Sequence, residues 1–245
     1  MSTIGDVTYA GLLKIVRGFT TDETCATHVM QLTSYFPKVD QLELIVVDSQ
    51  EIARSKLQHL PAGVTRLSDD EALAVVLFTY DLGLNSDDPD GADNFFVQLN
   101  ELLRLREPAT VRAIRPYLFF LFSALDKLPQ HTGTVYRGIP ASGLEIIQNR
   151  YHVGTEIWWS AFTSTTTNLN TAKSFAEGPG GIVFRITLTD GRRIQDYSAI
   201  SREDEILLRP NTKFMVSQAC HPVTEGALAG FFCVDLVQAA GRFIF

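Results

Sequence analysis

A chain of 245 residues, 45% hydrophobic and 20% charged, is long enough to bury a sizeable core as one large domain or as a domain with a helical subdomain. Its formal net charge of -7 argues against a protein that grips nucleic acid through a basic surface, although a nucleotide ligand needs only one or two local cations. No segment approaches the roughly 18 apolar residues of a membrane span; the best candidate, "PYLFFLFSAL" from Pro116, reads as a buried helix.

The N-terminal stretch "MSTIGDVTYAGLL" lacks the basic region and cleavage site of a secretory signal, so the expected location is the cytoplasm, or outside the cell as an effector exported without such a signal. Cys25, Cys220 and Cys233 are odd in number and far apart, which suits free thiols in a reducing compartment. His28, His59, His131, His152 and His221 are scattered away from the cysteines, so no metal site is expected.

In chain order, the first half reads mainly as helix. "TTDETCATHVMQLTSYF" opens with Thr20 and Glu23 at capping-box spacing and then runs apolar at helical intervals. "QLELIVVD" from Gln41 reads as a short strand, and "SQEIARSKLQHL" as a helix capped by Ser49. "LSDDEALAVVLFTYDLG" is a helix with Ser68 and Glu71 as a second capping box, three acids in its first turn where the dipole favours them, and Gly83 at its end. "NSDDPDGADN" is an acidic loop whose Gly91 comes too early for a calcium-binding spacing. Two helices follow, around Phe95–Arg106 and Ala109–Lys127, with Pro116 bending or starting the second. From Gly133 onward β-rich runs alternate with turns: "GTVYRG", "EIWWSAFTSTT", "GGIVFRITL", "RRIQDYS", "EILLRP", "KFMVSQA" and "GFFCVDLV". Their spacing suggests an antiparallel sandwich, and the fold expected is α+β: a helical N-terminal part packed on a two-sheet β-sandwich.

Three stretches carry chemistry. "TVYRGI" sets Arg137 in a strand and follows it with Gly138. "WWSAFTSTT" places Trp158 and Trp159 before a hydroxyl run that includes Ser164, Thr165 and Thr166. "SREDEILLRP" puts three acids ahead of an apolar strand. If that strand begins at Glu203, alternation sends Glu203 and Glu205 to one face and Asp204 to the other. Taken singly, each has an ordinary explanation: a surface arginine, an edge strand with a polar face, a solvated acidic turn.

Their order resembles the arginine-directed mono-ADP-ribosyltransferases, which carry an Arg, a Ser-Thr-Ser and a Glu-x-Glu motif in that sequence. The resemblance runs from about Leu67 to the C-terminus through "PYLFFLFSALDKLPQHTGTVYRGIP", "FTSTTTNLNTAKSFA" and "EDEILLRPNTKFMV". Thr166 stands where a Ser is usual and keeps the hydroxyl. Residues 1–66 match nothing recognisable and are expected to form a helical N-terminal extension, with 67–245 as the catalytic domain.

The resemblance implies a central cleft for NAD as co-substrate, with no metal, and a monomeric enzyme whose partner is a target protein presenting an arginine. Arg137 would hold the pyrophosphate in a fork of donors, with Gly138 letting the backbone come close. Ser164, with Thr165 and Thr166 beside it, would orient the nicotinamide ribose and the catalytic carboxylate. Glu205 would stabilise the oxocarbenium-like cation formed as the ribose–nicotinamide bond breaks. Glu203 would bind the incoming guanidinium and take its proton, and repulsion between the two carboxylates would raise one pKa toward the range of a base. Tyr197, in the loop before the acids, would position the acceptor; its ordinary reading is a surface tyrosine. Gly178, Gly180 and Gly181 in "EGPGG" would lie near a loop over the phosphates, or simply form a turn, and Phe175 would support the nicotinamide side or pack its helix. A NAD glycohydrolase on the same site, and a catalytically inactive fold used as a binding module, are the alternative functions.

Overall fold

The structure, a computed structural model, describes residues 16, 18–83, 88, 91–200 and 204–239. The N-terminal stretch, much of the acidic loop and Glu203 lie outside the described residues. The chain divides into two compact units. The first comprises Met1–Leu128 with Asp196–Ser201, and the second Pro129–Gln195 with Arg202–Arg242. The expected boundary at 66/67 falls inside the first unit.

The first unit is helical: α1 (Cys25–Met30), α2 (Leu42–Gln58), α3 (Asp69–Thr79), α4 (Phe95–Leu105), α5 (Pro108–Ala113) and α6 (Arg115–Lys127). Its centre is α3, in which every residue from Ala72 to Phe78 is buried. Ser68 and Glu71 form the expected capping box, each side chain meeting the other's backbone N–H, and Lys127 on α6 closes an ion pair with Glu71 at 2.6 Å. On α6, Pro116 stands in the first turn and starts the helix, where its missing N–H costs nothing. Tyr117 buries its ring and donates its hydroxyl to the Ala74 carbonyl at 2.9 Å.

Two expectations in this unit are corrected. "QLELIVVD" is not a strand. It is the first half of α2, which buries Leu42, Ile45, Val46, Ser49, Ala53 and Leu57 at helical intervals. Ser49 is therefore a mid-helix residue rather than a cap, fully buried, and its Oγ finds no hydrogen-bond partner among the described residues. The cap of α1 is Thr24, which accepts from the Thr27 N–H, rather than Thr20.

The second unit is one mixed sheet, not a two-sheet sandwich. Its strands are β1 (Gln130–Ile139), β2 (Glu156–Trp159), β3 (Thr163–Thr166), β4 (Ile182–Arg193), β5 (Glu205–Leu208), β6 (Thr212–Pro222) and β7 (Phe232–Gln238), in the order β1-β3-β5-β4-β7-β6-β2. A further pairing of β1 with β4 closes β1-β3-β5-β4 into a ring, and β7-β6-β2 extend from it. The length of β4 is the reason. Its 12 residues pair along one edge with β1, while the other edge meets β7 from Ile182 to Thr187 and β5 at Arg192 and Arg193. The β4–β7 pairing is parallel, so the sheet is not purely antiparallel. "EIWWSAFTSTT" is two strands: β2 pairs with β6 at one end of the order, and β3 with β5 in the ring.

Alternation along β4 sends Ile182, Phe184, Ile186 and Leu188 into a core shared with Val135, Ile206, Leu208, Phe214, Val234 and Leu236. Val183 faces the other way, where Ala172 and Ala176 from α8 (Leu169–Phe175) and the segment after it pack with Phe231 and Cys233. A seventh helix, α7 (Leu144–Arg150), joins β1 to β2.

Among the described residues, no helix is long and apolar enough to cross a membrane. Nor is any group of three or more His, Cys, Asp or Glu placed there to hold a metal ion. Cys25, Cys220 and Cys233 are free thiols.

Candidate active site

The hydroxyl strand β3 is the hinge of the site. It hydrogen-bonds along its length to β5, with Thr163, Ser164, Thr165 and Thr166 opposite Leu208, Leu207, Ile206 and Glu205. On its other edge Thr166 pairs with Tyr136 of β1. Directly opposed residues of an antiparallel pair share a face, as do residues two apart on one strand. Ser164, Thr166 and Glu205 therefore project from the same face. Next to Tyr136, Arg137 reaches across to β3 and donates from Nη1 to the Ser164 carbonyl at 2.8 Å. So a guanidinium, a hydroxyl and a carboxylate that lie up to 68 residues apart in sequence occupy three neighbouring strands.

Glu205 is 5% exposed and forms the first rung of β5; its backbone carbonyl accepts from the Ile194 N–H at 3.1 Å. Withdrawing a carboxylate from water costs free energy unless other groups replace its hydration. The strand starts at Glu205 rather than Glu203, and Asp204 has φ of 46°, the left-handed region. The simple two-residue alternation expected to bring Glu203 and Glu205 to one face is thus interrupted at Asp204, and Glu203 itself lies outside the described residues.

Other expected residues take different places. Thr165 is buried and donates its hydroxyl to the Ile206 carbonyl at 2.7 Å, tying β3 to β5. The Thr166 hydroxyl accepts from the Asn168 N–H at 3.0 Å and turns the chain into α8. Gly138 serves packing: a Cβ there would lie 1.9 Å from the Ala172 carbonyl oxygen, so its bareness lets α8 sit on β1. Gly178 and Gly180 both have φ near 90° and form a turn tied to Gly230. Phe175 is 54% exposed at the end of α8. Trp159 is a core residue, against Phe184 and Phe214, whereas Trp158 lies outside on β2 beneath the Lys213 ammonium.

Tyr197 departs furthest from expectation. It belongs to the helical unit, its side chain is fully buried, and its hydroxyl accepts from the Leu67 N–H at 3.0 Å while donating to the Thr65 carbonyl at 2.9 Å. It is neither a surface tyrosine nor a group displayed to an acceptor. Its work here is to pin the segment 196–200 onto the helices, and Ala199 assists by donating its N–H to Thr79.

Sequence reasoning overlooked Tyr151, the residue that ends α7. Its ring packs on Phe184, centroids 5.2 Å apart, and Phe184 lies opposite Arg137 in the β1–β4 ladder. An aromatic after a helix looks like ordinary core, and only the ladder register reveals its proximity to Arg137.

The fold is shared with solved ADP-ribosyltransferases. HopU1 from Pseudomonas syringae pv. Tomato DC3000 superposes with a TM-score of 0.61 at 21% identity over 91% of this chain and 100% of its own. Within that class the assignment is specific: the sequence profile of the NAD:arginine ADP-ribosyltransferase family matches residues 20–226, and the chain belongs to that family. The match begins well before residue 67, so residues 20–66 are family sequence too. Mav from Mycobacterium avium (strain 104), provisionally named an NAD(+)–arginine ADP-ribosyltransferase, is 39% identical over 123 residues, 49% of this chain and 14% of Mav. Vis from Vibrio splendidus (strain 12B01), provisionally named likewise, is 33% identical over 112 residues, 42% of this chain and 44% of Vis. The chain thus spans less than half the length of either relative in these matches. Vis has also been solved with agmatine, with a TM-score of 0.51 at 22% identity over 83% of this chain and 88% of that one.

Proposed function

We propose that this chain transfers ADP-ribose from NAD to the guanidinium of an arginine on a target protein and releases nicotinamide. The observation that carries this reading is the placement of Arg137, Ser164 and Glu205 on the neighbouring strands β1, β3 and β5, with Glu205 withdrawn from water. Arg137 holds the pyrophosphate of NAD, since a guanidinium is charged at any working pH and offers paired donors to phosphate oxygens. Ser164, on the face that Glu205 shares, orients the nicotinamide ribose. Glu205 meets the positive charge that develops on the ribose as the bond from C1′ to the nicotinamide nitrogen breaks and the pyridine leaves neutral. The acceptor guanidinium attacks C1′ only as it sheds a proton, because its cation has no available lone pair. Glu203 is the proposed acceptor of that proton. Agmatine bound to Vis supports a guanidinium as the acceptor, because agmatine is an arginine lacking only its carboxylate.

Water in place of the guanidinium gives NAD hydrolysis on the same residues, and two substitutions separate the chemistries. Glu205→Gln is expected to lower both nicotinamide release and arginine modification by about 100-fold or more. Glu203→Gln is expected to lower arginine modification by a similar factor while nicotinamide release persists. Nicotinamide and modified agmatine, both quantified by chromatography, report the two rates. Normal transfer by Glu203→Gln would remove that residue from the mechanism, and normal nicotinamide release by Glu205→Gln would remove the mechanism itself.

A further inference from the structure

Tyr151 carries a phenol near the charge of Arg137. Its phenol oxygen lies 3.0 Å from the Trp159 indole Nε1. An indole N–H only donates, so in that bond the tyrosine accepts, and its own proton remains for another partner. The indole hydrogen bond fixes the oxygen, and the Tyr151 ring and Trp159 both pack on Phe184, the latter edge-on at 5.5 Å. Phe184 is the residue opposite Arg137, so the phenol and the guanidinium stand over one patch of sheet. Burial raises the pKa of the phenol, outweighing the Trp159 hydrogen bond and the nearby Arg137 and Arg150 charges that pull it down; the group therefore keeps its proton at neutral pH. A neutral donor that feels the charge of two guanidinium groups is suited to an anion.

We infer that Tyr151 is a further NAD-binding residue, donating its phenolic hydrogen to the same diphosphate that Arg137 holds. The indole of Trp159 is a positioning group that points this donor. The inference rests on the proposed function, which supplies the diphosphate.

The test is calorimetric binding of ADP-ribose, and separately of nicotinamide, to the full chain and to Tyr151→Phe. The substitution keeps the ring on Phe184 and removes only the hydroxyl. ADP-ribose affinity is expected to fall roughly tenfold, the scale of one hydrogen bond to a charged group, while nicotinamide affinity stays put. In steady-state assays the KM for NAD should rise by a similar factor with kcat little changed. Trp159→Phe, which leaves the hydroxyl but frees it to rotate, should give a smaller loss in the same direction. Unchanged ADP-ribose affinity in Tyr151→Phe overturns the inference, as does an equal loss of nicotinamide affinity, which would mean a general disturbance. If the unmodified chain binds neither ADP-ribose nor NAD, the proposed function fails and this inference with it. If the unmodified chain binds ADP-ribose and Tyr151→Phe binds it equally well, the inference alone fails.

Discussion

Asp204 sits in a left-handed backbone conformation between two glutamates, directly ahead of the buried Glu205. For a residue with a Cβ that conformation costs about 1–2 kcal/mol, and Asp tolerates it better than most. The turn ends the β3–β5 ladder at the Thr166–Glu205 rung, so the direction from which the chain enters the site is fixed at one dihedral pair. Asp204→Gly is expected to hold stability within about 1 kcal/mol, whereas Asp204→Val should lose about 1–2 kcal/mol because a β-branched side chain fits that region poorly. Urea denaturation ranks the two, and equal midpoints would show that the backbone there is not constrained. At this scale the sequence was legible where polar groups broke an apolar pattern: Arg137 inside a strand, hydroxyls on consecutive strand positions, acids heading "EILL". It was illegible where identity and pattern agreed with something ordinary. Tyr151 reads as core, Tyr197 as surface, and no residue type announces that Asp204 interrupts the alternation.

The element that most constrains the site is α8, which lies on β1 with no room to spare. A methyl at Gly138 would meet the Ala172 carbonyl oxygen at 1.9 Å and the Ala176 nitrogen at 2.6 Å, all backbone that no rotamer change can move. Gly138→Ala is therefore expected to cost about 3 kcal/mol or more, as overpacking against rigid backbone does, and to reduce activity through the neighbouring Arg137. Chemical denaturation measures the first effect and nicotinamide release the second; a variant as stable as the parent would show that α8 can shift freely. The capping box of α3 and the start of α6 were read correctly from sequence, as Ser68, Glu71 and Pro116 show, whereas the caps expected at Thr20 and Ser49 were not. The error over α2 has a physical source. "QLELIVVD" alternates polar and apolar residues for its first few positions, and only across the full 17 residues does the burial of Ile45, Ser49, Ala53 and Leu57 declare a helical period. Most strands were visible as strands, although "RRIQDYS" is the end of β4 followed by non-strand backbone; which edges the strands join depends on the length of β4 and on the register of β1, and neither is encoded locally.

On the scale of the whole chain, each unit buries a thiol that must stay neutral. Burial pushes Cys25 well up in the helical unit, and in the sheet unit burial together with Asp235 pushes Cys233 up to about 11 from an ordinary 9.0. A thiol whose pKa is higher folded than unfolded binds its proton more tightly in the native state. Its contribution is complete below about 9 and is lost as pH rises from there toward 11. Thermal midpoints are expected to fall across that window, and Cys233→Ala should flatten the fall; a midpoint indifferent to pH between 9 and 11 would contradict the placement of these thiols. The family assignment covers residues 20–226 and hence most of both units, while the residues assigned to chemistry on described strands all belong to the second. The central claim is that these residues move ADP-ribose from NAD to an arginine. Its most direct test is to incubate the full chain with isotope-labelled NAD, agmatine and a cell lysate, and to locate the label by mass spectrometry. The account predicts labelled ADP-ribose on agmatine and on arginine side chains, with stoichiometric nicotinamide, and neither product from Glu205→Gln. Label confined to other side chains, or folded protein that leaves NAD intact, would contradict it.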